Sequence, residues 1–337
     1  MNIVQKNDVM SFAETFSLSK DVYNSSFLIT GATGLIGSTL VRCLLSLDRG
    51  INIVCPVRNI DKARCIYDED FDKISFVECN LLDYLNNIND HFDYLIHCAS
   101  PTDGKYMNEH PVETYELTIE STKALLNYSK GRSIKSLVYL SSLEYYGQIL
   151  DDILITEDVV GYIDPTSPRS SYPLGKRAAE YLCVSYYKEY GVPVKIARLT
   201  QTFGAGVSKD DNRVFAQFAR SIINGEDIVL HTTGESSKPY CYTTDCVSAI
   251  LYILLKGDNG EAYNVANQDT YISIREMAEF LKDNFNPEVN VRMALQQNMG
   301  YAPITKLRLS SEKLMKLGWR SQYNLKSMFE RLINSLK

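Results

Sequence analysis

The chain has 337 residues, of which 45% are hydrophobic and 23% are charged, and its formal net charge is −6. These values are typical of a soluble globular protein with one large α/β domain and a smaller lobe, or with two domains. They argue against a nucleic-acid or acidic-membrane surface, because no run of like charges is present. The N-terminus lacks an apolar core of signal-peptide type, and the longest apolar run, 249–255, is too short for a bilayer, so we expect a cytoplasmic protein.

The cysteines and histidines show no metal-site pattern. None of the eight cysteines lies in a C-x-x-C pair, and the four histidines show no ligand spacing. We therefore expect reduced, mostly buried thiols and no metal.

The first chemical signal lies close to the N-terminus. An apolar run at 27–30 leads into three glycines spaced three apart, Gly31, Gly34 and Gly37, and a helical pattern follows to Leu45. This predicts a strand, a tight turn and a helix. Gly31 and Gly34 allow positive φ and close approach of the backbone to a ligand, and Gly37 allows the helix to pack tightly on the strand. The N–H groups of the helix N-terminus then face the turn and can hold a pyrophosphate, although an ordinary βα turn shows the same pattern.

Apolar strands then alternate with helices, after a short helical extension at residues 1–24. We predict strands at 51–59, 75–78, 93–97, 136–141 and 194–198, and helices that include 112–128 and 178–190. This alternation predicts an α/β fold with a doubly wound parallel sheet. From residue 201 the rhythm loosens: helices near 212–224, 243–256, 273–285 and 323–335, with a strand at 262–265, predict a second lobe. The polar segment 204–212 is a candidate mobile loop at the cleft.

The second signal is Tyr172 and Lys176, four residues apart at the start of a predicted helix. This spacing places them on one helical face, one turn apart. The phenol has a free-solution pKa of ~10, and a neighbouring ammonium lowers that pKa, which makes the pair a proton shuttle near neutral pH. The alternative is a surface cation beside a packed tyrosine.

The third signal is a strand at 136–141 that leads into two hydroxyls, Ser141 and Ser142. Open α/β sheets bind their ligands at the carboxyl ends of their strands. The glycine turn, the hydroxyl-tipped strand and the Tyr/Lys helix therefore occur in order, each on the element that the chemistry requires.

With these motifs the chain resembles the extended short-chain dehydrogenase/reductase family, in its nucleotide-sugar epimerase, dehydratase and decarboxylase branch, from about residue 25 to 330. His97-Cys98-Ala99-Ser100, Asn80-Leu81 and Arg198 add to the resemblance. It implies a Rossmann-type sheet with a smaller C-terminal substrate-binding lobe. We assign 25–200 and about 236–265 to the NAD(P)-binding domain, and 201–235 and 266–337 to the lobe. It also implies a homodimer, often packed through the long helices near 112–128 and 173–190.

The resemblance implies roles for individual residues. Tyr172 would exchange a proton with the substrate hydroxyl or carbonyl, Lys176 would lower the pKa of Tyr172 and hold the nicotinamide ribose, and Ser142, with Ser141 as its substitute, would hydrogen-bond the reacting oxygen. The implied cofactor-binding residues are Gly31, Thr33, Gly34, Leu35, Ile36, Gly37, Arg58, Asn80, Leu81, Ala99, Ser100, Tyr172 and Lys176.

The second strand ends in a basic residue. In NAD-dependent enzymes a carboxylate about twenty residues past the glycines binds the adenosine ribose diol. Here this position holds Arg58, and Lys62 and Arg64 follow. A guanidinium pairs with a 2′-phosphate bidentately, so we predict NADP(H) in preference to NAD(H), the alternative being a solvated arginine.

The residues around the predicted site give mixed evidence on the reaction type, with one match to the family pattern and four departures from it. Glu144 matches the base of dehydratases and decarboxylases, but it could equally be a solvated or ion-paired carboxylate, and Leu143 stands where some dehydratases carry an acidic aspartate. Among the predicted substrate contacts, Ser142, Gln201 and Lys238, the last two replace the usual asparagine and arginine, and Thr118 also replaces an asparagine. Lys238 keeps the charge of arginine but loses its fork geometry.

Three functions follow. The first is an NADPH-dependent reductase of a keto group on a nucleotide-activated sugar or ketose, supplying a surface polysaccharide, which Arg58 and Leu143 favour. The alternative is a redox-neutral epimerase, dehydratase or decarboxylase on a nucleotide sugar with Glu144 as base. The third is a non-enzymatic, NADP-binding regulatory or scaffold protein, which intact Ser142, Tyr172 and Lys176 argue against.

Overall fold

The computed structural model describes residues 1–101, 104–149, 151–295 and 304–337, in which strands and helices alternate. The strands are β1 (Ser26–Thr30), β2 (Asn52–Val57), β3 (Ser75–Glu78), β4 (Tyr94–His97), β5 (Ser136–Ser142), β6 (Leu154–Ile155), β7 (Val194–Leu199), β8 (Gln201–Phe203), β9 (Ile228–Leu230), β10 (Ser237–Tyr242), β11 (Ala262–Val265), β12 (Asn267–Ser273), β13 (Val291–Met293) and β14 (Arg308–Leu309). The α-helices are α1 (Ile3–Thr15), α2 (Leu35–Ser46), α3 (Ile60–Tyr67), α4 (Leu81–Asn87), α5 (Gly104–Glu109), α6 (Pro111–Ser129), α7 (Ser171–Tyr190), α8 (Val214–Asn224), α9 (Thr243–Lys256), α10 (Ile274–Phe285), α11 (Glu312–Lys316) and α12 (Leu325–Leu336).

A seven-stranded sheet forms the centre of the molecule. Its order is β11-β7-β5-β4-β1-β2-β3, and every pair of neighbours is parallel. From β1 the chain moves outward through β2 to β3, and it then returns to β4 on the other side of β1. This confirms the predicted Rossmann-type, doubly wound α/β sheet and places the reversal of strand order between β1 and β4, where such sheets bind ligands.

Helices cover both faces of the sheet because successive strand residues point to opposite sides. On one face Phe27 and Ile29 of β1 join a core with residues of α2 and α9, such as Leu44 and Ile250. On the other face Leu28 joins a core with residues of α4, α6 and α7. Both faces of the sheet are therefore buried in apolar cores, as the continuous apolar runs of these strands predict.

A second, smaller sheet carries the other core. Its order is β12-β10-β8, with β10 parallel to β8 and antiparallel to β12. The helices α8, α10 and α12 pack with it around Phe203, Phe215 and Phe329. The sequence analysis predicted none of the strands β8, β9, β10 and β12. The first two have three residues each, too few for a measurable period, and polar residues and Pro239 obscure the pattern of the other two.

The N-terminal helix α1 was predicted only as part of an extension. It packs against α2, α9 and α12 and therefore contacts both cores. Among the described residues, no helix has the length and apolarity that crossing a bilayer requires.

Candidate active site

The three glycines of the turn after β1 differ in backbone conformation and in contacts. Gly31 has φ of +70°, but Gly34 has φ of −85°, so the expectation of a positive φ at Gly34 is wrong. Gly34 is instead the N-cap of α2, in extended conformation. A Cβ on Gly37 would lie 2.3 Å from the Gly31 carbonyl oxygen, so the first turn of α2 closes onto the backbone of the loop.

The same turn contacts the loop that follows β4. A Cβ on Gly31 would lie 2.7 Å from the Ala99 nitrogen, and the Ala99 N–H donates to the Thr30 hydroxyl at 3.2 Å. The segments that leave β1 and β4 therefore meet at the reversal point of the sheet. Ser100, the residue after Ala99, enters the site from this loop.

The N-terminus of α2 fits a pyrophosphate. No side chain in the described part of the chain caps it, and its first residues, Leu35 and Ile36, are half-buried, as is Thr33 before them. The first N–H groups of a helix have no partner within it, and they attract negative charge. The three glycines keep this end clear of side chains, which is the arrangement that binds a dinucleotide phosphate.

Tyr172 lies in the first turn of α7 and is 8% exposed. Burial raises the pKa of its phenol, and the charge of Glu144 raises it further, whereas the neighbouring hydroxyls of Ser142 and Ser100 lower it. The lowered pKa expected from sequence is therefore wrong for the chain alone, because desolvation outweighs the neighbouring donors. The structure brings this phenol together with the Ser142 hydroxyl at the end of β5.

Lys176 lies one turn along α7 and is 2% exposed. Its Nζ donates to the Leu140 carbonyl at 2.8 Å and is 5.5 Å from the centroid of the Tyr172 ring. Burial lowers the pKa of Lys176 to about 8, although Glu180 opposes this shift. At neutral pH Lys176 is therefore mostly in its charged, ammonium form. The ammonium lies beside the phenol, but its hydrogen bond goes to the backbone of β5.

Glu144 forms an ion pair, which the sequence analysis named as one of the alternatives to a catalytic base. Its carboxylate accepts from Nη2 of Arg169 at 2.8 Å, and both side chains are about one-third exposed, at 34% and 30%. Burial lowers the pKa of Lys238, and Glu144 and Arg169 both act on that pKa, so the three charges lie near one another. Nη1 of Arg169 is buried and has no partner among the described residues.

Gln201 and Lys238 reach the site from the small sheet. Leu199 pairs with Ser142 at the end of the large sheet, and Gln201 follows two residues later. The Oε1 atom of Gln201 is buried and has no hydrogen-bond partner in the described part of the chain. A buried acceptor without a donor is costly, so this atom suits a ligand group.

The residues predicted to bind the outer part of the cofactor lie at the ends of β2 and β3. Arg58 follows β2, is exposed and forms no ion pair with any described residue, whereas the Arg64 guanidinium stacks on Phe71 at 4.2 Å. Asn80 caps α4 by accepting from the N–H groups of Leu82 and Asp83, and Leu81 begins that helix. Asn80 thus has a structural role whatever else it contacts.

Comparison with known proteins decides the family. The model of the NAD dependent epimerase/dehydratase family matches residues 27–266. The chain belongs to the NAD-dependent epimerase/dehydratase family. This confirms the resemblance to extended short-chain dehydrogenases/reductases.

Relatives of this family member differ in activity. It is 28% identical to UDP-glucuronic acid decarboxylase 6 of Arabidopsis thaliana over 90% of this chain and 86% of the relative. It is 30% identical to dTDP-D-glucose 4,6-dehydratase of Dictyostelium discoideum over 77% of this chain and 62% of the relative. These are nucleotide-sugar enzymes of the family, and both names denote conversions other than net reduction.

Solved structures of other proteins share the fold. UDP-glucose 4-epimerase of Thermotoga maritima, with UDP-glucose, has a TM-score of 0.79 at 20% identity, covering 92% of this chain and 98% of that one. The protein RMD of Pseudomonas aeruginosa, complexed with NADPH, has a TM-score of 0.72 at 23% identity, covering 93% and 98%. At these identities the likeness shows the fold alone.

Sequence analysis missed the part played by Arg169. It lies three residues before Tyr172, in a short 3-10 turn at Pro168–Ser170, and a single arginine in a turn has no pattern that assigns it a partner. Behind the site, Arg198 pairs with buried Glu180 at 2.8 Å and donates to the Tyr146 hydroxyl at 3.0 Å. This network holds the segment after β5, which carries Glu144.

Replacing Tyr172 by Phe tests the proton-transfer role. Removing the hydroxyl should lower kcat about 10²- to 10⁴-fold while dinucleotide affinity stays near that of the wild type, because general acid–base catalysis supplies about this factor. Tyr190→Phe, on an exposed position of the same helix, is the matched control. Unchanged turnover of Tyr172→Phe would remove Tyr172 from the reaction.

Replacing Gly37 by Ala tests the phosphate cradle. The added Cβ would collide with the Gly31 carbonyl, so the turn must open and dinucleotide affinity should fall about tenfold or more, or about 1.4 kcal/mol. Gly104→Ala, where a Cβ meets no described residue within 4 Å, is the control. Fluorescence titration with NAD(P)H measures both, and equal affinities would place the phosphates elsewhere.

Proposed function

We propose that this protein converts a nucleotide-activated sugar by transient oxidation and re-reduction, with no net consumption of the nicotinamide cofactor. The observation that carries the proposal is the buried phenol of Tyr172 facing the hydroxyls of Ser142 and Ser100 beside the glycine turn. The related decarboxylases and dehydratase favour this redox-neutral chemistry over the net reduction predicted from Arg58 and Leu143.

The site fits a nicotinamide dinucleotide. The uncapped N-terminus of α2 and the glycines would hold its pyrophosphate, and Lys176 would lie near its nicotinamide ribose. When bound, this cofactor would supply the reversible hydride acceptor for a sugar carbon.

The protein's own residues move the proton. Tyr172 by itself keeps its proton at neutral pH, since burial raises its pKa, but Ser142, Ser100 and Arg169 all favour the phenolate. As phenolate it takes the proton of the sugar hydroxyl during oxidation, and it returns the proton to the carbonyl oxygen during reduction. Ser142 positions the reacting oxygen for this proton exchange by hydrogen bonding to it.

Among redox-neutral conversions, two observations favour decarboxylation of a sugar acid. Eliminating water needs an acid for the leaving hydroxyl, and Leu143 cannot supply one. Loss of CO₂ from a β-keto acid needs none, because the electrons of the broken C–C bond pass to the neighbouring carbonyl as an enolate, which then takes up a proton. Nη1 of Arg169 is buried without a partner beside Lys238, and two cations suit a sugar carboxylate.

A homodimer is part of the proposal. Val112 and Tyr181, on the long helices α6 and α7, are 61% and 73% exposed. A second copy of the chain would cover these apolar side chains.

One assay separates closed and open redox cycles. We expect a nucleotide hexuronate, such as UDP-glucuronic acid, to lose the mass of CO₂ with catalytic NADP⁺ or NAD⁺ and with no lasting change in nicotinamide absorbance. Loss of one NADPH per keto-sugar reduced would instead support the reductase. Tyr172→Phe in parallel excludes turnover by contaminants.

Arg58→Gln tests the cofactor preference. The proposed pairing with a 2′-phosphate predicts that NADP(H) affinity falls about 10- to 100-fold, since charge-assisted bidentate pairs are strong, while NAD(H) affinity changes little. Glu78, across from Val57, could bind a ribose diol, but its carboxylate accepts the Ile60 N–H at 3.0 Å. Equal wild-type affinity for both dinucleotides would refute the preference.

Tyr181→Glu tests the dimer. Burying a carboxylate in an apolar interface is costly, so this variant should sediment as a monomer at concentrations where the wild type is a dimer. Tyr23→Glu, at a 64% exposed position elsewhere, should leave the dimer intact. A wild-type monomer at micromolar concentration would overturn the interface.

A further inference from the structure

The N-terminal helix α1 lies outside the segment that matches the family, residues 27–266. It nevertheless packs against α2 and α9 beside the large sheet and against α12 of the small core. Because α1 contacts both the large-sheet core and the small core, it is able to fix the position of one core relative to the other.

The polar anchor of this helix is Asp8, which is 3% exposed. Its carboxylate forms an ion pair with Arg331 of α12 and accepts a hydrogen bond from the Tyr242 hydroxyl. The same hydroxyl accepts the Ala205 N–H at 3.3 Å. A tyrosine hydroxyl donates and accepts at once, so Asp8 is linked through one oxygen to the loop that follows β8.

A second residue of α1 touches the same loop. A Cβ on Gly206 would lie 2.3 Å from Nε2 of Gln5 and 3.6 Å from Cδ1 of Leu35. Leu35 is the first residue of α2, directly behind the glycine turn. The loop at Ala205–Gly206 is thus enclosed between α1 and the dinucleotide-binding turn.

This loop continues the strands that supply the candidate substrate contacts. Strands β8 and β10 are parallel, with Gln201 beside Tyr240 and Phe203 beside Tyr242. Gln201 begins β8, and Lys238 lies near the start of β10. Asp8 therefore holds the far end of the strand pair whose near end carries Gln201 and Lys238.

We propose that α1 is a positioning element of the active site, in which Asp8, through Tyr242 and Ala205, fixes the β8–β10 pair against the dinucleotide-binding turn. This rests on the proposed function, because the side chains so placed are the ones assigned to the nucleotide sugar. Asp8 touches neither substrate nor cofactor, and it acts on where Gln201 and Lys238 lie. Its loss should therefore weaken substrate binding and leave proton transfer at Tyr172 largely intact.

Asp8→Asn is the first test. It keeps the size of the side chain and one acceptor oxygen but removes the charge that pairs with Arg331. We expect KM for the nucleotide sugar to rise about tenfold or more, since small displacements of positioning groups cost about this much, with kcat and NADP(H) affinity near wild-type values. Glu14→Gln, an exposed carboxylate on the same helix, is the matched control and should change neither.

Tyr242→Phe keeps the test decisive if Asp8→Asn folds poorly. It preserves the ion pair of Asp8 with Arg331 and removes only the hydroxyl that reaches Ala205. It should raise KM as Asp8→Asn does. The double variant should be no worse than either single one, because the two changes break successive links of one chain of contacts, Arg331–Asp8 and Asp8–Tyr242–Ala205. Lower thermal midpoints with unchanged KM in both variants would show a purely structural role and overturn the inference.

Measurements on the wild-type protein distinguish failure of this inference from failure of the proposed function. If the wild type turns over a nucleotide sugar and both variants keep its KM, only the role of α1 is refuted. If the wild type neither binds nor converts UDP-glucuronic acid or UDP-glucose, the proposed function fails first and this inference fails with it.

Discussion

The close approach of the β1 turn to the β4 loop is the constraint on which the site depends. Gly31 lies so near Ala99 that no Cβ fits between them, and the Thr30 hydroxyl holds the Ala99 N–H. This contact lies at the reversal of strand order, where the segments leaving β1 and β4 diverge. It places Ser100, and with it the pocket of Tyr172, beside the N-terminus of α2.

Burial determines the electrostatics of that pocket. In the chain alone desolvation keeps the proton on Tyr172 and lowers the pKa of Lys176 to about 8. Arg169 pairs with Glu144, while one nitrogen of Arg169 stays buried without an acceptor. Such a site is set up to receive negative charge, since an anionic group would complete hydrogen bonds that the protein leaves open.

The two cores are joined by polar contacts as well as by packing. Asp8 links α1 to α12 and to Tyr242, and the buried Asp245 carboxylate accepts the N–H groups of Gln322 and Tyr323 near the C-terminus. These contacts tie both ends of the chain to β10 and α9. The strands that carry Gln201 and Lys238 are thereby held at the ends that lie away from these two residues.

The parallel sheet, the glycine turn and the order of the three motifs were determined by the sequence alone, because apolar periodicity, glycine spacing and a tyrosine four residues before a lysine are local signals. From sequence, Glu144 was a candidate base or a solvated or ion-paired carboxylate, and the tertiary structure supplied Arg169 as its partner. The direction of the Tyr172 pKa was decided by burial, and the conformation of Gly34 by its place as the cap of α2. The role of Asp8 had no local signature at all, since its partner Arg331 is 323 residues away. Desolvation and long-range ion pairs depend on what packs around a side chain, and only the tertiary structure brings those neighbours together.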